Sequence, residues 1–287
     1  MKVEAPPLVR DEQALRRHYE VERELANRLR RAGPEERLVL YRSVYNELFQ
    51  RVPDHPQLSR KQGGPLQRDA TARQMALLHR FLRPDHVFLE IGAGDCHLAK
   101  TVSAEVRHVY AVDVSDEISG GNVRPENFSL IVTDGIRINV AQGSVDVAYS
   151  HQLMEHLHPD DAAAQLKQVY QALRPGGVYV CTTPHRFSGP HDVSKHFDSV
   201  AQGFHLKEYS YGDLRRIFRQ TGFSRTHAWA GIKGRFFWLP NALTSLAEGS
   251  LRIWPAILRK RMARLAPFRP LFDSVTIVGQ KSAFAVD

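Results

Sequence analysis

A short stretch of the sequence combines acids and glycines in a pattern that could hold a nucleotide-like ligand. The run VFLEIGAGDCHLAK, residues 87–100, places Glu90 just before Gly92 and Gly94 and then continues with helix-forming residues. The glycines let the backbone approach a ligand, and the start of the helix offers unpaired N–H groups. Asp113 ends the next strand-like run, where a carboxylate can accept from both hydroxyls of a ribose. The pattern predicts a ligand-binding turn between a strand and a helix.

Two ligand classes fit this turn, beside the simpler alternative of a tight turn that binds nothing. A dinucleotide site uses a third glycine to bring the helix close to the strand, but His97 occupies that position. S-adenosylmethionine carries no phosphate and needs a carboxylate near its cationic amino and sulfonium groups. Glu90 can provide that negative charge, which favours the methyl donor over the dinucleotide.

Three further motifs follow in a fixed order. TDG places Asp134 and Gly135 after a third strand, DVAYSHQLMEHL ends a fourth strand in a polar turn, and LRPGGVYV joins a helix to a fifth strand. Together with LEIGAGD and AVDVS, these motifs resemble a class I S-adenosylmethionine-dependent methyltransferase of the small-molecule, type 11-like kind. The resemblance covers residues 87–230 and the last strand at 275–280. It extends more generally to methyltransferases of bacterial polysaccharide and quinone pathways.

The resemblance implies S-adenosylmethionine as cofactor and assigns residues to its parts. It places the residues of the glycine turn (Glu90, Gly92, Ala93, Gly94) around the methionine moiety. It places Asp113 and Val114 at the ribose, and Asp134 and Gly135 at the adenine. It places Ser150, His151 and Gln152 under the reacting sulfonium. Cys96 stands where the family often has a small residue, and we expect its role to be packing.

Histidines are concentrated after the fourth and fifth strands. Methyl transfer to oxygen requires removal of the acceptor proton, and histidine titrates in the right range. We therefore name His151, His156 and His185 as candidate catalytic bases. A base is not obligatory in this fold, because alignment of the acceptor with the methyl group can supply much of the rate.

A divalent metal site is the alternative interpretation of the same region. Glu155, His156 and the distant His205 are similar to the Glu-x-x-Glu-His and distant His pattern of plant small-RNA 2′-O-methyltransferases. Gln152 replaces the first glutamate, which removes one anionic ligand. The plainer interpretation is a helix-start turn that holds the fourth strand.

The elements that must position these residues form two groups. Residues 11–50 show helical spacing of apolar side chains, a Pro- and Gly-rich linker follows, and a third helix is predicted over 67–82. From residue 87, short β-rich runs alternate with helices, which predicts βαβ units. The predicted fold is α/β: a Rossmann-like, seven-stranded, mostly parallel sheet with one antiparallel strand, helices on both faces and an N-terminal helical extension.

The domain division follows from this pattern. Residues 1–82 are predicted to form a helical cap over the cofactor cleft or to mediate homodimerisation, and residues 83–287 the methyltransferase domain. Residues 182–210 are rich in His and aromatic residues, and we interpret them as an acceptor-binding lid.

The segment 231–273 is predicted to be a basic insert before the last strand. Residues 233–272 contain eight Lys and Arg residues and one acid, in a chain of formal net charge +8. The sequence over 250–266 predicts a basic amphipathic helix with one apolar face, formed by Leu251, Trp254, Leu258, Met262 and Leu265. Such a helix could contact an anionic membrane, pack on the core as an ordinary surface helix, or line the acceptor site.

Composition restricts the remaining classes. Two cysteines exclude a disulfide framework and fit a reducing compartment, and no apolar run is long enough to cross a bilayer. The first residues lack the apolar core of a secretory signal, so we expect a cytoplasmic protein, peripheral at most to the inner face of the membrane. No nucleic-acid partner is expected, because the basic residues lack an accompanying RNA- or DNA-binding motif.

The resulting prediction is an S-adenosylmethionine-dependent methyltransferase of class EC 2.1.1.-. We expect it to methylate an oxygen of a sugar, a glycan or another small-molecule acceptor. The alternatives are a quinone or aromatic O-methyltransferase at the membrane surface and a non-catalytic S-adenosylmethionine-binding regulator. A dehydrogenase is disfavoured by His97 and by the LRPGG motif.

Overall fold

The computed structural model describes residues 10–58, 64–115, 124–232 and 234–283. The first residues, on which the signal prediction depends, and Lys233 of the basic insert lie outside the described residues. The strands are β1 (Val87–Ile91), β2 (His108–Asp113), β3 (Phe128–Val132), β4 (Val145–His151), β5 (Leu173–Pro184), β6 (Arg225–Ile232), β7 (Arg235–Leu239) and β8 (Ser274–Gln280). The helices are α1 (Glu12–Arg31), α2 (Pro34–Arg51), α3 (Pro65–Leu78), α4 (His97–Val102), α5 (Pro159–Ala172), α6 (Tyr211–Thr221), α7 (Asn241–Arg252), α8 (Ala256–Ala263) and α9 (Arg269–Phe272).

All the named strands join one sheet, in the order β3-β2-β1-β4-β5-β8-β6-β7. β1 to β5 run parallel, and β8 runs antiparallel to both of its neighbours. Glu90 pairs in register with Ala111 of β2 and Tyr149 of β4, so the carboxyl ends of these strands meet at one edge. The α/β prediction is confirmed, and this edge is where ligands of open α/β sheets bind.

The expected strand count of seven is wrong, because the described residues contain an eighth strand. β7 lies inside the predicted basic insert and forms a hairpin with β6, in which Trp229 faces Trp238. Its sequence, RFFWL, is rich in aromatic residues that favour strands, and Gly234 supplies the positive φ of +76° that the turn requires. β7 thus extends the sheet at its edge and runs opposite to β6.

The core lies on both faces of the sheet. Alternate residues of β1 divide between the faces: Leu89 joins a cluster with α1, α2, α5 and α6, and Phe88 joins a cluster with α3 and α4. α1 and α2 bury Leu25, Val44 and Leu48 in the first cluster. The N-terminal helices therefore share one continuous apolar core with the sheet.

α2 is attached to α5 by a buried ion pair. The Arg37 guanidinium donates to both carboxylate oxygens of Asp161, from Nε at 2.5 Å and Nη2 at 2.8 Å. The Tyr41 hydroxyl donates to the same carboxylate at 2.7 Å. Gly33 and Pro34 end α1 and begin α2, as the sequence predicts, and so direct α2 toward α5.

Two predicted segments have different boundaries in the structure. The third helix ends at Leu78 rather than at residue 82, and residues 182–184 of the predicted lid belong to β5. After Pro184 the segment is compact, with a short 3₁₀ helix at Val193–His196 and buried side chains at Phe187, Phe204 and Tyr209. It is a packed part of the domain.

The predicted single amphipathic helix over 250–266 is wrong. The structure has two helices, α7 and α8, that meet at Pro255. Proline has no N–H to donate and disfavours helical conformation in the residue before it, so the helix breaks there. As a result Leu251 is buried, whereas Trp254 and Leu265 are exposed.

Candidate functional site

The glycine turn after β1 contains residues with positive φ, a backbone conformation that glycine adopts readily and other residues adopt rarely. Gly92 and Gly94 have φ of +72° and +53°, and Cys96 also has a positive φ, of +59°. A Cβ on Gly92 would lie 3.1 Å from a methyl carbon of Leu153. The N–H groups of Gly92 and Ala93 both donate to the Val112 carbonyl, which fixes the turn against β2. Burial raises the pKa of the Cys96 thiol to about 12, which agrees with a packing role.

Asp113 connects the end of β2 to this turn. One carboxylate oxygen accepts from the Gly94 N–H at 2.7 Å, and the other accepts from the Val114 N–H at 2.7 Å. Burial raises the pKa of this carboxyl group. Each oxygen has more than one acceptor position, so the pinned carboxylate can still bind hydroxyl groups beside the turn.

Glu90 is a buried carboxyl group with an unused oxygen. Its side chain is 7% exposed, and Oε2 has no hydrogen-bond partner within the described part of the chain. Burial raises the pKa of Glu90 to about 8, and the neighbouring carboxylates of Asp95 and Asp113 add to the shift. A cation next to the glycine turn would stabilise the ionised carboxylate and supply its missing partner. These residues therefore fit the cationic methionine part of S-adenosylmethionine.

The turn after β3 is shaped by Asp134 and covered by α2. Asp134 Oδ1 accepts from the N–H groups of Ile136 and Arg137 at 3.0 and 2.9 Å. A Cβ on Gly135, whose φ is +91°, would contact Val114 and the Tyr41 side chain of α2. Arg42 of α2 donates to the Thr133 carbonyl of the same turn.

α2 thus brings Tyr41 and Arg42 next to the turn that the resemblance assigns to the adenine. Neither residue was predicted from the sequence to belong to the site. A helical pattern shows which face of α2 is apolar, but it does not show which loop that face covers.

At the end of β4 the three residues assigned to the sulfonium have different environments. The Ser150 side chain is fully buried, and its hydroxyl lies 2.6 Å from the Tyr179 hydroxyl in the interior of the domain. Gln152 has a positive φ of +55°, and its N–H donates to the Thr182 carbonyl at 2.8 Å. Strain of this kind is often found at functional sites. Between them, His151 is exposed.

His151 faces a cavity of about 750 Å³. The cavity lies between α3, the ends of β4 and β5, the β6–β7 hairpin and α9. Apolar side chains (Ala70, Leu77, Ile232, Phe236, Pro270) line it together with polar ones (Arg73, Gln74, Tyr149, His151, Thr182, Arg269, Asp273, Ser274, Thr276). Arg73 and Arg269 are missing from the sequence prediction, because they come from parts of the chain that only the fold brings together. The volume fits a small-molecule ligand.

The candidate bases differ in access. His151 is accessible from the cavity, but the protein that surrounds it disfavours the charged ring and lowers its pKa to about 4, so the ring is neutral at neutral pH and can accept a proton. The His185 ring has no exposed surface: its Nδ1 accepts from the Phe187 N–H, and its Nε2 lies 3.0 Å from a Glu248 oxygen. Both nitrogens of His185 are engaged, so the geometry favours His151 as the base.

The fold brings Glu155, His156 and His205 together. One ligand atom of each residue lies within 4.8 Å of the others. Glu155 Oε1 lacks a hydrogen-bond partner among the described residues, while Oε2 accepts from the Thr183 hydroxyl at 2.8 Å. The Nδ1 atoms of His156 and His205 lie against Phe204 O and Glu208 Oε1, which directs both Nε2 atoms away from these partners. A carboxylate and two imidazoles in this arrangement suit a divalent metal.

A second buried cluster, His18, Glu22 and His55, has similar composition but a different environment. Arg10 donates to His18 Nδ1 at 2.7 Å, so the ring hydrogen of neutral His18 lies on Nε2. That nitrogen lies 2.8 Å from a Glu22 carboxylate oxygen. The arginine charge and this tautomer both oppose a metal, and the cluster is better explained as a polar contact that holds α1.

Burial also changes the pKa values at the first cluster. It raises the pKa of Glu155 to about 7 and, with the nearby His205, lowers the pKa of His156 to about 3. In contrast, the Glu208 carboxylate raises the pKa of His205. The three residues are thus held in a dry environment in which an isolated charge is costly.

Comparison with known proteins gives consistent matches. Residues 66–228 match a family model described as a methyltransferase domain. A Mycolicibacterium smegmatis protein described as an S-adenosylmethionine-dependent methyltransferase is 30% identical over 149 residues. The match includes 51% of this chain and 54% of that protein, so the chain spans about half the length of this curated relative.

Two solved structures have the same fold at low identity. A structure described as a complex between the Haloferax volcanii Trm112 methyltransferase activator and a protein assigned as a methyltransferase has a TM-score of 0.53 at 17% identity, covering 75% of this chain and 91% of that one. Burkholderia thailandensis 1,6-didemethyltoxoflavin-N1-methyltransferase, solved with S-adenosylhomocysteine, has a TM-score of 0.51 at 17% identity, covering 88% and 91%. At these identities the likeness concerns the fold.

Proposed function

Because the chain belongs to the methyltransferase-domain family and takes S-adenosylmethionine as its cofactor, we propose that it methylates an oxygen of a small-molecule or glycan acceptor. The observation that carries the proposal is that a candidate cofactor turn and a candidate acceptor cavity lie next to each other at one edge of the sheet. The glycine turn with the unpaired Glu90 oxygen lies at the end of β1, and the His151 cavity lies at the end of the adjacent β4.

In this proposal the cofactor lies along the ends of β1, β2 and β3. Glu90 and the glycine turn hold the methionine part, Asp113 the ribose, and the Asp134 turn the adenine. Tyr41 and Arg42 of α2 cover that end of the cleft, so the N-terminal helices act as a cap. When bound, S-adenosylmethionine supplies an electrophilic methyl group on a sulfonium.

The residues of the cavity have separate roles in the proposal. Neutral His151 would accept the proton of the acceptor hydroxyl when that oxygen takes the methyl group from the sulfonium, which would leave as a neutral thioether. Arg73 and Arg269 hold an anionic group of the acceptor, such as a phosphate or carboxylate. The packed walls orient the hydroxyl toward the methyl group, which by itself contributes much of the rate.

The first experiment tests the cofactor. Calorimetric titrations with S-adenosylhomocysteine and with NAD should show binding of the former only. Asp113→Ala should lose charge-assisted hydrogen bonds worth about 1.5–3 kcal/mol each. Tight NAD binding, or an unchanged affinity of Asp113→Ala for S-adenosylhomocysteine, would contradict the assignment.

The second experiment tests the acceptor with a labelled methyl donor and paired acceptors that do or do not carry an anionic group. The proposal expects transfer to hydroxylated acceptors with a preference for anionic ones, and Arg269→Gln should reduce that preference. Arg261→Gln is the matched control, because Arg261 is exposed but does not line the cavity. Preference for neutral aromatic acceptors would favour the quinone or aromatic alternative. Cofactor binding without turnover on any acceptor would favour a regulator.

A metal-assisted reaction is the second candidate, and the unpaired Glu155 Oε1 beside two histidines favours it. Glu155, His156 and His205 do not line the His151 cavity, so this candidate requires the acceptor hydroxyl to lie at the cluster instead, where a bound metal would lower its pKa. In this case the purified protein should contain a stoichiometric divalent metal, and chelation should abolish turnover while S-adenosylhomocysteine still binds. Glu155→Gln should lose the metal. Full activity in the metal-free protein would eliminate this candidate.

A further inference from the structure

The corner between α7 and α8 presents large apolar side chains to solvent. Ile253 and Ile257 are 80% and 84% exposed, and Trp254 between them is 41% exposed. On the outer face of α7, Leu243 and Leu246 are also exposed. Single exposed apolar residues are common, but several adjoining ones mark an interaction surface. We define these five residues as the α7–α8 tip.

The tip is held in place by the opposite face of the same helices. α7 buries Thr244, Glu248 and Leu251, and Leu251 joins a small apolar cluster with Phe187, Ala263 and Phe272. Arg215 donates to the Thr244 hydroxyl at 2.8 Å, which ties α7 to α6. The exposed side chains are therefore not a core face that has failed to pack, because α7 already has a packed face.

The charge around the tip is basic. Arg252 and Arg261 are exposed, and Arg259 and Lys260 are half-buried nearby. Glu248, the acid in this part of the insert, is buried and accepts from the Tyr211 N–H at 2.6 Å. The side chains at the surface of the tip thus combine aliphatic and tryptophan groups with cations.

We propose that the α7–α8 tip docks on the surface of an anionic lipid bilayer. The protruding isoleucines would enter the boundary between head groups and acyl chains, and tryptophan is well suited to that boundary. Arg252 and Arg261 would pair with lipid phosphates and acidic head groups, which is the charge complementarity that favours a bilayer over a neutral apolar partner. Within the described residues no helix is long and apolar enough to span a membrane, so the contact is peripheral.

The docking would also affect access to the cavity. The same insert lines the cavity through Arg269 and Pro270 of α9. An acceptor carried on a lipid with an anionic head group would then reach Arg269 from the bilayer surface. This consequence rests on the proposed function, whereas the docking itself does not.

Flotation with lipid vesicles tests the docking. The full-length protein is mixed with vesicles of phosphatidylcholine alone and of phosphatidylcholine with phosphatidylglycerol. It should float with the anionic vesicles and lose binding at high salt. The double variant Ile253→Asp/Ile257→Asp should reduce the bound fraction at least tenfold. Arg252→Gln/Arg261→Gln should weaken binding by roughly fivefold for each charge removed.

The matched control is Val39→Asp/Leu66→Asp, which changes two exposed apolar residues, 68% and 86% exposed, on other helices. It should float like the original protein. None of the substituted residues is assigned to the cofactor, so all variants should keep the original affinity for S-adenosylhomocysteine. That affinity serves as the check that each variant is folded.

Three results would overturn the proposal. The first is absence of binding to anionic vesicles by the folded protein. The second is binding that Ile253→Asp/Ile257→Asp leaves unchanged. The third is a dimer in light scattering that this variant converts to a monomer, with no lipid binding by either protein, since the tip would then be a contact between copies of the chain. None of these results would affect the acceptor experiments if those use soluble acceptors.

Discussion

Glu90 combines a buried position, an unpaired oxygen and a raised pKa. Below pH 8 the free protein holds this carboxyl group mostly protonated, because its pKa is about 8. A cation bound beside it favours the ionised form, so binding of S-adenosylmethionine should release a proton. If Glu90 binds the cationic part of the cofactor as proposed, this single residue couples cofactor binding to pH.

We predict that S-adenosylmethionine binding at pH 7 releases up to about one proton and that affinity rises with pH until about pH 8. Calorimetry in buffers of different ionisation enthalpy measures the release. Glu90→Gln should remove the release and weaken binding, whereas Glu36→Gln, at an exposed acid on α2, should change neither. A release that persists in Glu90→Gln would show that another group is responsible.

The same pKa predicts the pH dependence of stability without ligand. The pKa of Glu90 is higher in the folded protein than its ordinary value of 4.5, so folding binds a proton between these pH values. The contribution to stability is fully present below pH 4.5 and is lost as the pH rises to about 8. Thermal melting should show a smaller decline between pH 5 and pH 8 in Glu90→Gln than in the original protein. Equal declines in the two proteins would contradict this prediction.

His151 should act on turnover rather than on cofactor binding. Removal of a general base typically costs about 10²–10⁴ in rate, so His151→Ala should lower kcat by that order and leave the affinity for S-adenosylhomocysteine nearly unchanged. Because the pKa of His151 is lowered to about 4, kcat should be independent of this group from pH 6 to pH 8. A kcat that falls with an apparent pKa near 6.5 would point to another histidine.

At the scale of elements, the position of α2 depends on a buried charge pair. Asp161 is bonded by both Arg37 and Tyr41, and the Arg37 and Asp161 side chains are 4% and 9% exposed. Loss of one partner of such a pair leaves an uncompensated buried charge. The helix that we propose as part of the cap is therefore attached through α5, at a distance in sequence from the glycine turn.

We predict that Asp161→Ala lowers the free energy of unfolding by about 3–5 kcal/mol. Asp160→Ala is the control on the same turn, since its side chain is 82% exposed, and it should cost less than about 1 kcal/mol. Urea denaturation measures both. Similar costs for the two variants would show that the Arg37 pair does not hold α2.

At the scale of the molecule, α1 and α2 share an apolar core with the sheet. Residues of these helices belong to the same buried cluster as residues of β1, β4 and β5. The helical extension should therefore unfold together with the α/β sheet. α1 and α2 thus contribute to the stability of the whole molecule.

We predict one cooperative thermal transition, with the same midpoint by circular dichroism and by calorimetry. S-adenosylhomocysteine at 100 times its Kd should add about 2.7 kcal/mol of stability to that single transition. An early transition assigned to residues 11–51 by hydrogen exchange, with the sheet still folded, would contradict a shared core.

The sequence by itself determined the alternation of strands and helices, the glycine turn and the acids at the ends of β1 and β2. These features are local, because strand and helix periodicity and the positive φ of Gly92 and Gly94 are expressed within a few residues. The resemblance of Glu155, His156 and His205 to a known metal-binding pattern also predicted that these three residues could lie together. Seven of the eight strands were recognisable in this way.

Only the tertiary structure decided what those elements cover. Packing between distant segments decided the burial of His185 against Glu248 and the position of Tyr41 and Arg42 over the Asp134 turn. The break at Pro255 and the β7 hairpin have local causes in the sequence instead. The cavity beside His151 also depends on packing between distant segments, since Arg73 and Arg269 stand almost 200 residues apart in the chain. Periodicity records which face of an element is apolar, but the partner of that face is fixed by the free energy of the whole packed chain.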